Sequence, residues 1–267
     1  SLNTAGAAPI TMNAADVGAA SFGSLAFNGA AVNIFEDDAG MQLAESATIP
    51  LLTATGGLTL GTTTILSDAA DTDVLVIGAA TVTSGVIIGL VNDAGDSWTV
   101  TGNASFSTAG AGPITINAAD VGAAGFGSLA FNGTAVNIFE DDGVMTLTES
   151  ASIPVLTSTV VLTLGSSGTI VDAADTDVLA AGSADVSAVG AITLVDDAGD
   201  SWVVGANATF RTAGAAPITV NAANVGAASF GSLAFNGSAV NIFEDDGAML
   251  LSESGTVAVL NATAGLT

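Results

Sequence analysis

Residues Ser24–Asp38 read SLAFNGAAVNIFEDD, and the phrase returns as SLAFNGTAVNIFEDD at Ser128–Asp142 and SLAFNGSAVNIFEDD at Ser232–Asp246. Successive copies start 104 residues apart. Inside each copy, apolar residues alternate with small or polar ones, as at Leu25/Phe27 and Val32/Ile34. That is the period of a strand with one buried face. Asn-Gly at 28, 132 and 236 carries a turn signal.

The same spacing governs the flanking sequence. TAG follows positions 3, 107 and 211, AADTDVL occurs at 69 and 173, and DAGDSW at 93 and 197. The chain divides into a first repeat (1–104), a second (105–208) and part of a third (209–267), with no linker between them. A shorter unit lies inside each repeat: an alternating run, a small turn, a second run and an acidic corner. Aligning Ile10, Val32, Ile65, Ile88 and Ile114 gives steps of 22, 33, 23 and 26, and the long step leaves room for a fifth unit around MQLAESATIPLL. Units of this length suit single coils of a solenoid. The expectation is an all-β chain, a parallel β-helix with four to five coils per 104-residue repeat. The alternative is a string of immunoglobulin-like β-sandwich domains, which the repeat length also permits. A sandwich asks for larger core residues and for linkers.

Composition narrows the function classes. The 267 residues hold one arginine (Arg211), no lysine, histidine or cysteine, and 26 acids, for a net charge of −25. Nucleic acid and anionic membrane surfaces both require cationic side chains, so neither is an expected partner. Zinc, iron–sulfur, thiol and Ser–His chemistry lack their ligands or bases. The uncharged run Val74–Val91 approaches the length of a membrane span, but Gly and Thr interrupt it and its counterpart carries Asp185. The opening residues carry no secretion signal and read as the interior of a longer array.

FGSLAFNG, AVNIFEDD, DAADTDVL and DAGDSW, recurring in this order, resemble the repeat regions of very large secreted bacterial proteins, the filamentous-haemagglutinin-like and autotransporter-like adhesins. The resemblance implies a right-handed β-helical shaft, a cell-surface or extracellular location and adhesive or structural work. It implies no catalytic residue. The chain departs from that pattern in its acidity and its strict 104-residue period.

The sharpest candidate site is the FEDD corner: Glu36, Asp37 and Asp38, then Glu140, Asp141 and Asp142, then Glu244, Asp245 and Asp246. Clustered carboxylates on a loop can hold Ca2+ through oxygen ligands. The bland reading is a solvated acidic turn, since the spaced D-x-D-x-D-G loop is absent. Trp98 and Trp202 read as packed residues, and Arg211 as repeat drift that can pair with a nearby acid. The expected function is a non-catalytic segment of an extracellular fibre, stalk or adhesin. Its expected partners are itself, end to end or as a continued chain, and cell-surface glycans. A calcium-dependent surface-layer module of sandwich beads is the first alternative, and a polysaccharide-active β-helix enzyme the second. For a solenoid, Leu25, Phe27, Val32 and Ile34 should be buried, and Asp37, Asp38, Asp71 and Asp73 exposed.

Overall fold

In the computed structural model the described residues form one 22-stranded parallel sheet wound into a β-solenoid, with no helix among them. The structure describes residues 1–267 except 38–39, 214–215, 246–247 and 258. Among the described residues no helix is long and apolar enough to cross a membrane. Among the described residues the strand-to-strand pairings are parallel; the antiparallel contacts are single bridges that close tight turns, Ser46↔Ile49 and Ser150↔Ile153. Sandwich beads are thereby excluded.

Each coil combines a long bent strand with shorter ones. Leu52–Thr62 pairs through its first part with Asp73–Val76 and through its second with Ala79–Ser84. Ile65–Asp68 pairs with Ile87–Leu90. The bends fall on the Asn-Gly pairs, which are not hairpin turns: they lie inside Phe27–Glu36, Ala123–Glu140 and Ala227–Ile242, at shifts of register. The coil beneath packs closely against these glycines. A Cβ on Gly133 would stand 3.0 Å from Cδ1 of Ile114.

Alternation places the core. Leu25, Phe27, Val32 and Ile34 are buried, and so are Leu129, Phe131, Val136 and Ile138. Trp98 packs edge-on to Phe106, which meets Phe126 the same way, and Trp202, Phe210 and Phe230 repeat the arrangement. The tryptophans are therefore packed residues, as expected.

The repeat and the coil do not share a common period. One column of stacked residues runs Ile10, Val32, Leu58, Ala80, Ala104, Leu129, then strand Val144–Leu147, Ile170, Ile192 and Ile218. Nine steps thus carry the chain 208 residues, or four and a half coils per repeat. Ile114, the counterpart of Ile10, stands instead in the column of Leu66, Ile88, Val136 and Leu162. Successive repeats are half a turn out of phase, and the pattern returns to the same face only after two. The sequence alignment also needs one correction: Val32 stacks on Leu58, and Ile65 lies partly exposed beside Leu66, which faces the core. The long step does contain a further strand, Met41–Leu43.

Candidate functional site

The FEDD corner is not a solvated acidic turn. Strand alternation continues past Val32 and Ile34 to Glu36, which is buried, and Glu140 at 0% exposure repeats this. Oε1 accepts the backbone N–H of Phe22 in the first copy (3.1 Å), Phe126 in the second (3.1 Å) and Phe230 in the third (3.0 Å). The next acid ties the corner to the preceding coil. Asp37 Oδ2 accepts from Asn13 Nδ2 and Ala20 N, Asp141 from Asn117 and Ala124, and Asp245 from Asn221 and Ala228, all at 2.5–3.0 Å. Asn13, Asn117 and Asn221 adopt positive φ, which asparagine tolerates, and their Oδ1 atoms hold the turn that follows. Asp37 and Asp141 are half-buried rather than exposed, whereas Asp142 and Asp245 are exposed or nearly so. Asp38 and Asp246 lie outside the described residues.

These carboxylates have no lysine to balance them. The compensation comes from backbone N–H groups, from asparagine amides and from protons. Glu140 Oε2 is buried without an N–H donor and faces Asp142. Burial first, and then the hydrogen bond with Asp142, push Glu140 up to about 9. Burial likewise raises Asp141, helped by the neighbouring Asp120 carboxyl. Asp16 is raised chiefly by the hydrogen bond it shares with Asp37.

The DAADTD and DAGDSW corners work in the same way. Asp96, 2% exposed, accepts from Thr72 N (2.9 Å), Asn92 N (3.1 Å) and Asp93 N (2.9 Å). Asp68 accepts from Val91 N (2.6 Å) and Asn92 Nδ2 (2.8 Å). Asp71 is exposed as expected, but Asp73 is half-buried, and it accepts a hydrogen bond from Ser97. In the second repeat Asp172, Asp196 and Asp200 each bring a carboxylate oxygen within 4.8 Å of the others. The acids are concentrated where the chain turns from one face to the next and leaves N–H groups without ladder partners.

Arg211 forms an ion pair with Asp185 at 3.0 Å, and Thr256 donates to the same carboxylate, also at 3.0 Å. One repeat earlier the corresponding places hold Ser107 and Thr81, so the guanidinium and its acid differ from the earlier copy together. Beside this pair lies an open groove of about 430 Å3, lined by Thr163, Asn207, Thr209 and Glu253 among others. A groove of about 460 Å3 stands 104 residues earlier, lined by Thr81, Asn103, Ser105 and Glu149.

Comparison with protein-family models, with curated proteins and with solved structures gives no match.

Proposed function

We propose that this chain is a structural segment of an extracellular or cell-surface fibre, stalk or adhesin, whose work is done by length and surface rather than by catalysis. The observation that carries the reading is the uninterrupted parallel column, in which every coil is hydrogen-bonded to the next and the pattern recurs after 208 residues. Such a body grows by adding repeats and needs no domain linkers. The carboxylates that read as a site are mostly engaged in joining coil to coil. The resemblance to adhesin repeats supports the same location and role. The partners proposed are further coils of the same kind, stacked end to end, and cell-surface glycans, for which the two hydroxyl- and amide-lined grooves are the candidate contact.

Cryo-electron microscopy of the concentrated protein tests this. At a coil spacing of ~4.8 Å, a repeat advances the axis by ~22 Å and the true identity period is ~43 Å. Filaments with the ~4.8 Å coil spacing running along their axis are expected. Discrete particles that never associate, or release of reducing sugar from polysaccharides, would overturn the reading.

A further inference from the structure

One difference between the full repeats changes the chemistry of a corner in which Asp200 is buried, Asp172 partly buried and Asp196 exposed. Asn92 of the first repeat is replaced by Asp196 in the second. In the first, Asn92 Nδ2 donates to Asp68 Oδ1 at 2.8 Å and Val91 N to Oδ2 at 2.6 Å, so both oxygens are satisfied. In the second, Val195 N donates to Asp172 Oδ2 at 2.8 Å, while Oδ1 is buried with no donor among the described residues. The amide that would fill the gap has become a carboxyl.

The remaining neighbours do not supply a donor. Asp200, 2% exposed, already accepts from Thr176 N and Asp197 N, both at 2.9 Å. The strands packed against Asp172 are Val144–Leu147 and Ile192–Leu194, neither of which contains a charged residue. Besides Asp172 and Asp196 themselves, the titratable groups at this corner are therefore Asp197 and Asp200. A buried carboxylate oxygen left unpaired beside other acids is costly. A single proton on either acid removes the problem, because the carboxyl O–H then donates where the Asn92 amide does in the first repeat. Calcium is the competing cation, but it takes six to eight oxygens. Here both oxygens of Asp200 are committed to backbone N–H groups.

We propose that Asp172 and Asp196 form a proton-operated latch between neighbouring coils, present in the second repeat and replaced in the first by a permanent hydrogen bond from the Asn92 amide. The latch is closed by one shared proton and opens when that proton leaves.

Burial is the largest influence on Asp172, with Asp200 and Asp196 adding to it, and the group rises to about 7. Asp196 is also raised, while Asp68, with its amide partner, reaches about 6. A folded-state value above the unfolded one means that the folded chain holds a proton that the unfolded chain has lost. Stability from this pair grows as pH falls through 7 toward the ordinary carboxylate range, and is lost as pH rises through 7. The second repeat should tighten on mild acidification, before the first.

The test uses the whole chain as wild type, Asp196→Asn and Asn92→Asp. Carboxyl-carbon NMR titration is combined with amide exchange at Val195. Wild-type Asp172 should inflect near 7, and Asp196→Asn should move it down toward the value of Asp68, near 6. Between about pH 6 and 7, protection of Val195 should change by up to about tenfold in wild type, and far less in Asp196→Asn. If Asp196→Asn does not fold, Asn92→Asp gives the reciprocal reading by raising Asp68. Titration of wild-type Asp172 in the ordinary carboxylate range would overturn the proposal, as would an inflection unmoved by Asp196→Asn. Protection of Val195 at about pH 8 by calcium chloride, reversed by chelator, would replace the proton with a metal.

Discussion

Glu140→Gln is the substitution that most directly tests how this acidic solenoid tolerates its buried carboxylates. Glu140 is fully buried, accepts from Phe126 N at 3.1 Å and is pushed from 4.5 to about 9, first by burial and then by its hydrogen bond with Asp142. Between those two values the folded chain carries a proton on Glu140 that the unfolded chain lacks. Its contribution is fully present below the lower value, declines as pH rises and levels off above the upper one. At about 1.4 kcal/mol per pH unit, the loss between mildly acidic solution and pH ~8 is on the order of 3–5 kcal/mol. Glutamine keeps the acceptor for Phe126 N and offers an N–H to Asp142 at every pH. Glu140→Gln should therefore match wild type near pH ~4 and exceed it at pH ~8, with a rise in Tm of roughly 6–12 °C. Thermal unfolding followed by fluorescence reads this directly, because Trp98 and Trp202 are buried in the core. A lower Tm for Glu140→Gln at pH ~8 would refute the reasoning, as would wild-type stability indifferent to pH. If chelator destabilises wild type, calcium restores it and Glu140→Gln abolishes the response, the corner holds Ca2+ rather than a proton.

Two further outcomes follow from the packing. Ile138→Asp places a charge between Ile116 and Leu164 on the adjacent coils, where nothing can pair it, and should cost several kcal/mol, seen as protease cleavage near that coil. Asn117→Ala removes the amide on Asp141 and the acceptor for Val121 N and Gly122 N, and should lower stability by about 1–3 kcal/mol in urea titration.

The acidic corners show how much was legible in the sequence. The alternation that identifies Val32 and Ile34 as core residues also points Glu36 inward, since 32, 34 and 36 share one parity. The same holds for Asp96 with Trp98 and Val100, and for Asp68 with Leu66. Read by residue type, these acids look solvated; read by phase, they are buried. What phase does not reveal is the donor. The N–H groups on Asp37, the one on Asp172 and one of the three on Asp96 come from residues 17 to 24 positions away, delivered by the neighbouring coil or by the far side of a turn. The pairing of Asp185 with Arg211 was legible only as a pair of unexplained departures from the repeat.

By itself, the sequence determined that the chain is all-β, that it is built from 104-residue units without linkers, and that Leu25, Phe27, Val32 and Ile34 with their copies face inward. Those properties follow from local alternation and from identity between copies, neither of which depends on where the neighbouring coil lies. Only the tertiary structure decided the phase. Coil length varies from 18 residues between Leu129 and Leu147 to 26 between Val32 and Leu58, because an Asn-Gly pair can bend a strand around an edge instead of ending it. Summed over two repeats, these choices give nine coils, so identical sequences lie on opposite sides of the solenoid. An identical stretch one repeat away cannot signal that half turn, because it is written into the contacts between coils and not into the residues of any one of them.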